Sequence, residues 1–359
     1  MTKIDFFSQI RKSIVCKYYD DDNSIISNGD SMDVLQSIPD GSVSLIVTDP
    51  PYHSTKKSNI INDTAFETNA EFVSWIEGFA KQWKRILKPN GSIFLFCSSA
   101  MEAMLEMMLC KYFNVLSHIV WTKPNEPGFD GWKGKMKKEA LRKWYPHSER
   151  IIFCEQCEDT YTKKSYFSEQ LKRWRSECGI SGHELTEKIG AFGKINHGGA
   201  VSNWESGRNI PSAEQYRKIC EVLGQYNKGI SFPEYSDIIR PFEVSSKVQF
   251  TDVWDFPSVR QYKGKHPAEK PIEMIEHCIK ATTFENDIVL DCFAGSGSSL
   301  IAAIKNNRYC VGIEIDEKWC SAIKTRIEKY GNLKNEHIAS YTFMKNSGKV
   351  SNDTELSLF

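Results

Sequence analysis

Three short runs dense in Val, Ile, Leu and Phe do not alternate with polar residues: Val43–Thr48, 92–97, and 287–291 with its successor 310–315. A strand wetted on one face alternates, so unbroken runs predict strands covered on both faces, as in a parallel sheet between helix layers. The stretch 70–87 supplies one such helix. It places Phe72, Ile76, Phe79, Trp83, Ile86 and Leu87 at helical intervals and ends at the turn Lys88-Pro89-Asn90-Gly91. Strand, helix, turn and strand predict βαβ packing, and the fold class is α/β, a doubly wound and mostly parallel sheet.

A chain of 359 residues, 40% hydrophobic and 26% charged, can bury a core for one large domain or two moderate ones. Lys plus Arg and Asp plus Glu both number 46, so a polyanionic partner has to be met by a local basic patch. No apolar stretch approaches the roughly 18 residues of a membrane span, and 1–17 lacks an apolar signal core, so a cytosolic protein is expected. Eleven cysteines are irregularly spaced, and the close pair Cys154 and Cys157 has no second such pair to complete a zinc site. Reduced, mostly buried thiols and no metal are expected.

A different pattern occupies 168–223. Segments 168–179, 184–190, 200–206 and 212–223 read as short helices separated by Gly-containing turns. The αβ pattern resumes near Pro271, so a small α-helical domain is inserted between two segments of one sheet domain, with 224–247 as its exit linker.

The segment Asp291-Cys292-Phe293-Ala294-Gly295-Ser296-Gly297-Ser298-Ser299 follows a strand and precedes a helix expected over 300–306. Its glycines allow a sharp turn close to a ligand, with free amides at the helix start. Glu314, at the end of the next strand, is placed to accept hydrogen bonds from ribose hydroxyls. A dinucleotide loop needs a third glycine, and position 300 is Leu. An acid and an aromatic beside the turn suit S-adenosylmethionine, which offers an amino group, a sulfonium and an adenosine instead of phosphates. The plain alternative is a tight strand-to-helix turn of any α/β fold.

Thr48-Asp49-Pro50-Pro51-Tyr52 closes an apolar strand at the sheet end where doubly wound folds place ligands. The prolines stiffen the corner. An exocyclic base amine is a poor nucleophile because its lone pair is delocalised into the ring. Asp49 and the Pro50 carbonyl could draw its hydrogens, and Tyr52 could stack on the base. Alone, the tetrapeptide could be a structural turn; beside the glycine loop it points to methyl transfer.

With these motifs the sequence resembles the amino-DNA methyltransferases that modify adenine N6 or cytosine N4. The resemblance spans most of 25–330. It rests on Asn28-Gly29-Asp30 with Asp33-Val34-Leu35, Asp49-Pro50-Pro51-Tyr52, Leu87-Lys88-Pro89-Asn90-Gly91, His266-Pro267-Ala268-Glu269-Lys270-Pro271, and the 291–299 loop. The catalytic motif precedes the cofactor motif, as in the permuted β-class. The resemblance implies the fold of the S-adenosylmethionine-dependent methyltransferases, with Asp49, Pro50, Pro51 and Tyr52 catalytic. It also implies that Asp291, Phe293, Gly295, Gly297 and Glu314 line the cofactor, that Asp30 contacts its adenine end, and that His266, Pro267 and Lys270 close over its methionine. Asp in place of Ser at the head of the tetrapeptide resembles the N6-adenine branch, with N4-cytosine as the alternative. The expected domains are 20–155 (catalytic half), 156–250 (target recognition), 251–334 (cofactor half) and a polar tail, 335–359.

Within the insert, Val201 to Arg208 and Ile210-Pro211-Ser212 are similar to a Cro-type helix-turn-helix. Its recognition helix would start near Gly199 or Ala200, with Ser202, Asn203 and Arg208 meeting base edges or phosphates. A purely supporting helical bundle is the alternative. Residues 131–150 carry seven Lys or Arg against two Glu. Lys133, Lys135, Lys137, Arg142 and Lys143 of this patch suit phosphate contact on double-stranded DNA, or form a solvated basic face. The target amine is buried in duplex stacking, so the nucleotide is expected to flip out into the pocket. The terminal peptide, Glu355 to Phe359, resembles sequences that dock on DNA polymerase sliding clamps, and a homodimer is a further expected partner state. Rival readings are a DNA-binding regulator on an inactive scaffold, or a methyltransferase acting on protein glutamine or RNA.

Overall fold

The unbroken apolar runs form the middle of a nine-stranded sheet. The computed structural model describes residues 3–52, 66–124, 142, 144, 147–158, 164–191, 199–226, 228–243 and 251–346. Along the chain come α1 (Lys3–Ser13), β1 (Lys17–Asp20), β2 (Ser24–Asn28), α2 (Ser31–Ser37), β3 (Val43–Thr48), α3 (Asn69–Ile86), β4 (Leu87–Cys97), α4 (Glu102–Leu109), β5 (Asn114–Trp121) and β6 (Glu149–Glu155). A helical segment follows: α5 (Tyr166–Cys178), α6 (Gly182–Lys188), α7 (Gly199–Glu205), α8 (Ala213–Gly224) and α9 (Tyr235–Ile238). The chain then re-enters the sheet through β7 (Val253–Trp254), α10 (Ile272–Thr282), β8 (Ile288–Asp291), α11 (Ser298–Lys305), β9 (Tyr309–Glu314) and α12 (Glu317–Asn346).

The strand order is β1-β2-β9-β8-β3-β4-β6-β5-β7. The strands from β2 through β4 are parallel, whereas β6 pairs antiparallel with both β4 and β5. All six residues of β3 are buried because both sheet faces are covered. Ile46, Ile93 and Leu290 pack with Phe72, Ile76 and Trp83 of α3. Leu45, Val47 and Val289 pack with Met274, Ile275, Leu300 and Ile323 from α10–α12. Each such side chain, fully removed from water, contributes about 1.5–3 kcal/mol.

The expected helix 70–87 is α3, capped by the Thr68 hydroxyl, which accepts from the Glu71 amide. Lys88 to Gly91 lies inside β4 as an irregularity: Leu87 pairs with Val43 and Ser92 with Leu45. Asn90 there donates to the carbonyls of Ser236 and Ile239 (3.1 and 3.0 Å), docking the helical segment on the sheet. That segment has its own core of Phe167, Leu171, Trp174, Leu185, Val201, Trp204 and Ile219. Its α6 starts at Gly182 because Ser181 caps it, not at 184. The stretch 224–247, expected as a linker, contains α9, whose Ile238 is buried with Ile239 in the helical core. Helix α12 continues through Asn346, past the tail boundary expected at 335.

Every cysteine is a free thiol and most are buried. Among the described residues, no helix is long and apolar enough to cross a membrane.

Candidate active site

The register Leu45↔Val289 and Ile46↔Leu290 brings the ends of β3 and β8 out side by side. The two motifs therefore meet. The Thr48 hydroxyl donates to Asp291 Oδ1 (3.1 Å), which also accepts from the Phe293 amide (3.0 Å), while the Ser299 hydroxyl donates to Oδ2. Asp291 thus clamps the strand ends to the glycine turn. Burial pushes its carboxyl up to about 6 against these donors.

One continuous cavity lies over this junction. Asp30, Asp49, Pro50, Pro51, Tyr52, His266, Lys270, Asp291, Phe293, Gly295 and Glu314, all singled out from sequence, line it. Pro267 and Gly297 do not. Pro267 is exposed. Gly297 adopts φ +76° at the start of α11, where an added Cβ would stand 2.8 Å from Ile323. Its role is to turn the backbone.

The glycine turn makes a cradle. Gly295 has φ +48°, and a Cβ there would meet the His266 ring at 3.1 Å. Glu314 braces the turn, its carboxylate accepting from the amides of Gly295 (2.8 Å) and Asp316 (2.9 Å). Burial pushes its pKa up against these donors. Each carboxylate oxygen keeps a lone pair for ligand hydroxyls. Asp30 caps α2 by accepting from the Met32 amide (2.8 Å). His266 packs edge-on against Trp319 at 4.5 Å and accepts at Nδ1 from the Ala268 amide (3.2 Å). Burial, with the Lys270 charge, pulls its pKa down to about 4, so the ring is neutral with its proton on Nε2. Phe293 lies 5.6 Å from Trp75 and 5.2 Å from Phe79, forming an aromatic wall on α3. This cradle suits an amino-nucleoside cofactor: flat apolar walls, carboxylate acceptors and, among the described residues lining it, no cluster of cations for phosphate.

At the other end, Asp49 is half-buried. The Lys270 ammonium donates to Oδ2, whereas Oδ1 is buried without a hydrogen-bond partner. Burial raises the Asp49 pKa, Lys270 opposes that shift and the Glu149 charge adds to it. Lys270, expected over the methionine, has turned its ammonium to this corner, 5.4 Å from the ring centres of both Tyr52 and Phe96. The Tyr52 phenol donates to Glu149 Oε2 (2.9 Å).

Glu149, Lys123, Trp75 and Trp319 escaped the sequence reading, since none belongs to a contiguous motif. Of the residues expected to meet DNA, Ser202 and Asn203 sit half-buried on α7, and Arg208 and Arg142 are exposed. Trp204 is core. Lys133, Lys135, Lys137, Lys143 and the peptide from Glu355 to Phe359 lie outside the described residues.

A family model described as DNA methylase matches residues 43–325. The type II methyltransferase M.BglII of Bacillus subtilis is 28% identical over 307 residues, which cover 82% of this chain and 66% of that relative. The chain thus spans just under two thirds of that protein. The DNA adenine methyltransferase YhdJ of Escherichia coli K12 is 25% identical over 336 residues, 92% of each chain. The structure of the PvuII DNA methyltransferase, described as cytosine-N4-specific, aligns with a TM-score of 0.52 at 17% identity over 86% of this chain and 88% of that one. That likeness bears on the fold, an α/β methyltransferase fold.

Proposed function

Because the chain belongs to the DNA methylase family, we propose that it methylates the N6 amine of adenine at a specific sequence in double-stranded DNA. S-adenosylmethionine is the cofactor and, when bound, supplies an electrophilic methyl group on a sulfonium. In this reading Gly295, Phe293, Asp291, Glu314, Asp30 and His266 hold it. The neutral His266 ring adds no positive charge beside a sulfonium.

The observation that carries the reading is that the Asp49-Pro50-Pro51-Tyr52 corner and the glycine cradle line one cavity. An ionised Asp49 accepts a hydrogen bond from the exocyclic amine, which returns lone-pair density to nitrogen, and takes up the proton that the nitrogen sheds as the methyl group passes to it from sulfur. The Pro50 carbonyl is the second acceptor. Tyr52 stacks on the base, fixing the nitrogen in line for attack, and positioning of this kind can supply several kcal/mol of a barrier. The target nucleotide has to leave the stack to reach this depth. Adenine is favoured over cytosine by the aspartate at the head of the tetrapeptide.

Target reading is assigned to the insert, with Ser202, Asn203 and Arg208 on or after α7, and phosphate contact to the basic 131–150 segment. The test uses tritiated S-adenosylmethionine and unmethylated genomic DNA, followed by digestion to nucleosides. Label in N6-methyladenine is expected. Label in N4-methylcytosine would move the assignment to the other base, and DNA without label would favour a regulator on an inactive scaffold.

A further inference from the structure

We propose that Glu149 is a positioning residue of the methyl-transfer site, anchoring the Tyr52 phenol and the Lys270 ammonium that holds the Asp49 carboxylate. This rests on the reading given under Proposed function. Glu149 starts β6, and the pairing Cys97↔Arg150 sets it just beyond the end of β4, on the same rim of the sheet as Asp49. Its partner across β5 is Trp121, and Lys123 follows two residues later. Three elements distant in sequence thus deliver their charges to one corner.

Both oxygens of Glu149 are used. Oε2 accepts from the Tyr52 phenol (2.9 Å) and pairs with Lys270 (3.3 Å), while Oε1 accepts from Lys123 (2.5 Å). Two carboxylates and two ammoniums then balance in a half-buried cluster, which is the condition for holding such charges partly away from water. Lys270 bridges Glu149 and Asp49, holding Asp49 by its Oδ2 at the edge of the cavity. The phenol bond holds the outer end of the Tyr52 ring in place. Glu149 does not line the cavity and acts only through these neighbours.

The groups facing Asp49 are Lys270, Glu149, Tyr52, the Cys97 thiol and Asp291. Burial opposes ionisation of Glu149, but Lys270 and Lys123 overcome it and hold its pKa down to about 2, so it is charged throughout the working range. That charge disfavours ionisation of Asp49. Removing it in Glu149→Gln lets Asp49 ionise at lower pH, while the loosened Tyr52 and Lys270 slow the reaction.

The experiment compares wild type, Glu149→Gln and Glu149→Asp for kcat and for KM toward S-adenosylmethionine and unmethylated genomic DNA across the acid limb of the pH profile, with donor affinity by calorimetry. In Glu149→Gln, kcat should fall on the order of 10- to 100-fold, donor affinity should hold, and the acid limb should move to lower pH. Glu149→Asp keeps the charge with a shorter arm, so kcat should fall while the limb stays. An unchanged kcat in Glu149→Gln, an unmoved limb, a loss confined to KM for DNA, or a fall in donor affinity each overturns the inference. Wild type without methyl transfer to DNA would instead remove the functional reading.

Discussion

Asp49 and Lys270 show how much a single buried contact decides. Lys270 holds one carboxylate oxygen of Asp49, which lines the cavity, so Asp49→Ala should leave donor binding intact by calorimetry and cut methylation at least about 100-fold. Retained turnover would remove the carboxylate from the reaction. At the opposite end, Gly295→Ala places a methyl 3.1 Å from the His266 ring at a φ of +48°. Left-handed backbone costs a side chain about 1–2 kcal/mol, and the dissociation constant for S-adenosylmethionine should rise about tenfold. His266 carries a pH signature. Its folded pKa of about 4 lies below the ordinary 6.5, so the unfolded chain takes up the proton first and stability falls as pH drops through that interval. Denaturant melts of His266→Gln should lose that part of the acid sensitivity, and an identical pH dependence in both proteins would contradict it. Asp49, Tyr52, Gly295 and Glu314 were legible in the sequence because their chemistry sits in or beside short contiguous strings. Glu149 was not, since a lone glutamate after a serine looks like any solvated one until β6 is paired with β4.

At the level of elements, the central strands and α3 announced themselves through unbroken apolar runs and helical spacing. The outer strands did not. In β5 half-buried and exposed residues interrupt the buried ones, and β1 is only four residues long, so their periodicity is weak and pairing to neighbours decides them. The α6–α7 corner carries a sharper constraint. Gly199 has φ +65°, and a Cβ there would meet Thr186 at 2.6 Å, because the two helices cross with backbone against side chain. Gly199→Ala should therefore pry α7 away from α6. In filter binding, affinity for target DNA should fall while donor affinity is kept, and unaltered DNA affinity would separate α7 from target reading. Asn90→Ala removes two hydrogen bonds that seat the helical segment on β4, and limited proteolysis between the two should become faster.

Across the molecule, three separate cores divide the labour: two sandwich the sheet and the third belongs to the helical segment alone. Calorimetric unfolding should resolve two transitions, and S-adenosylmethionine should raise only the one belonging to the sheet, because a ligand stabilises the unit that binds it. A single transition lifted as a whole would show that the cores melt together. The motif order along the chain foretold that catalytic and donor halves would be neighbours, though not that the helical segment would rest on the Lys-Pro-Asn-Gly irregularity of β4. The pairing of β3 with β8 joins residues more than 240 positions apart. During synthesis the ribosome releases β3 long before its partner exists, and contacts this remote are slow to close. A nascent chain therefore cannot assemble this cavity until β8 has left the ribosome, and a stop codon anywhere before that strand should yield a product without it.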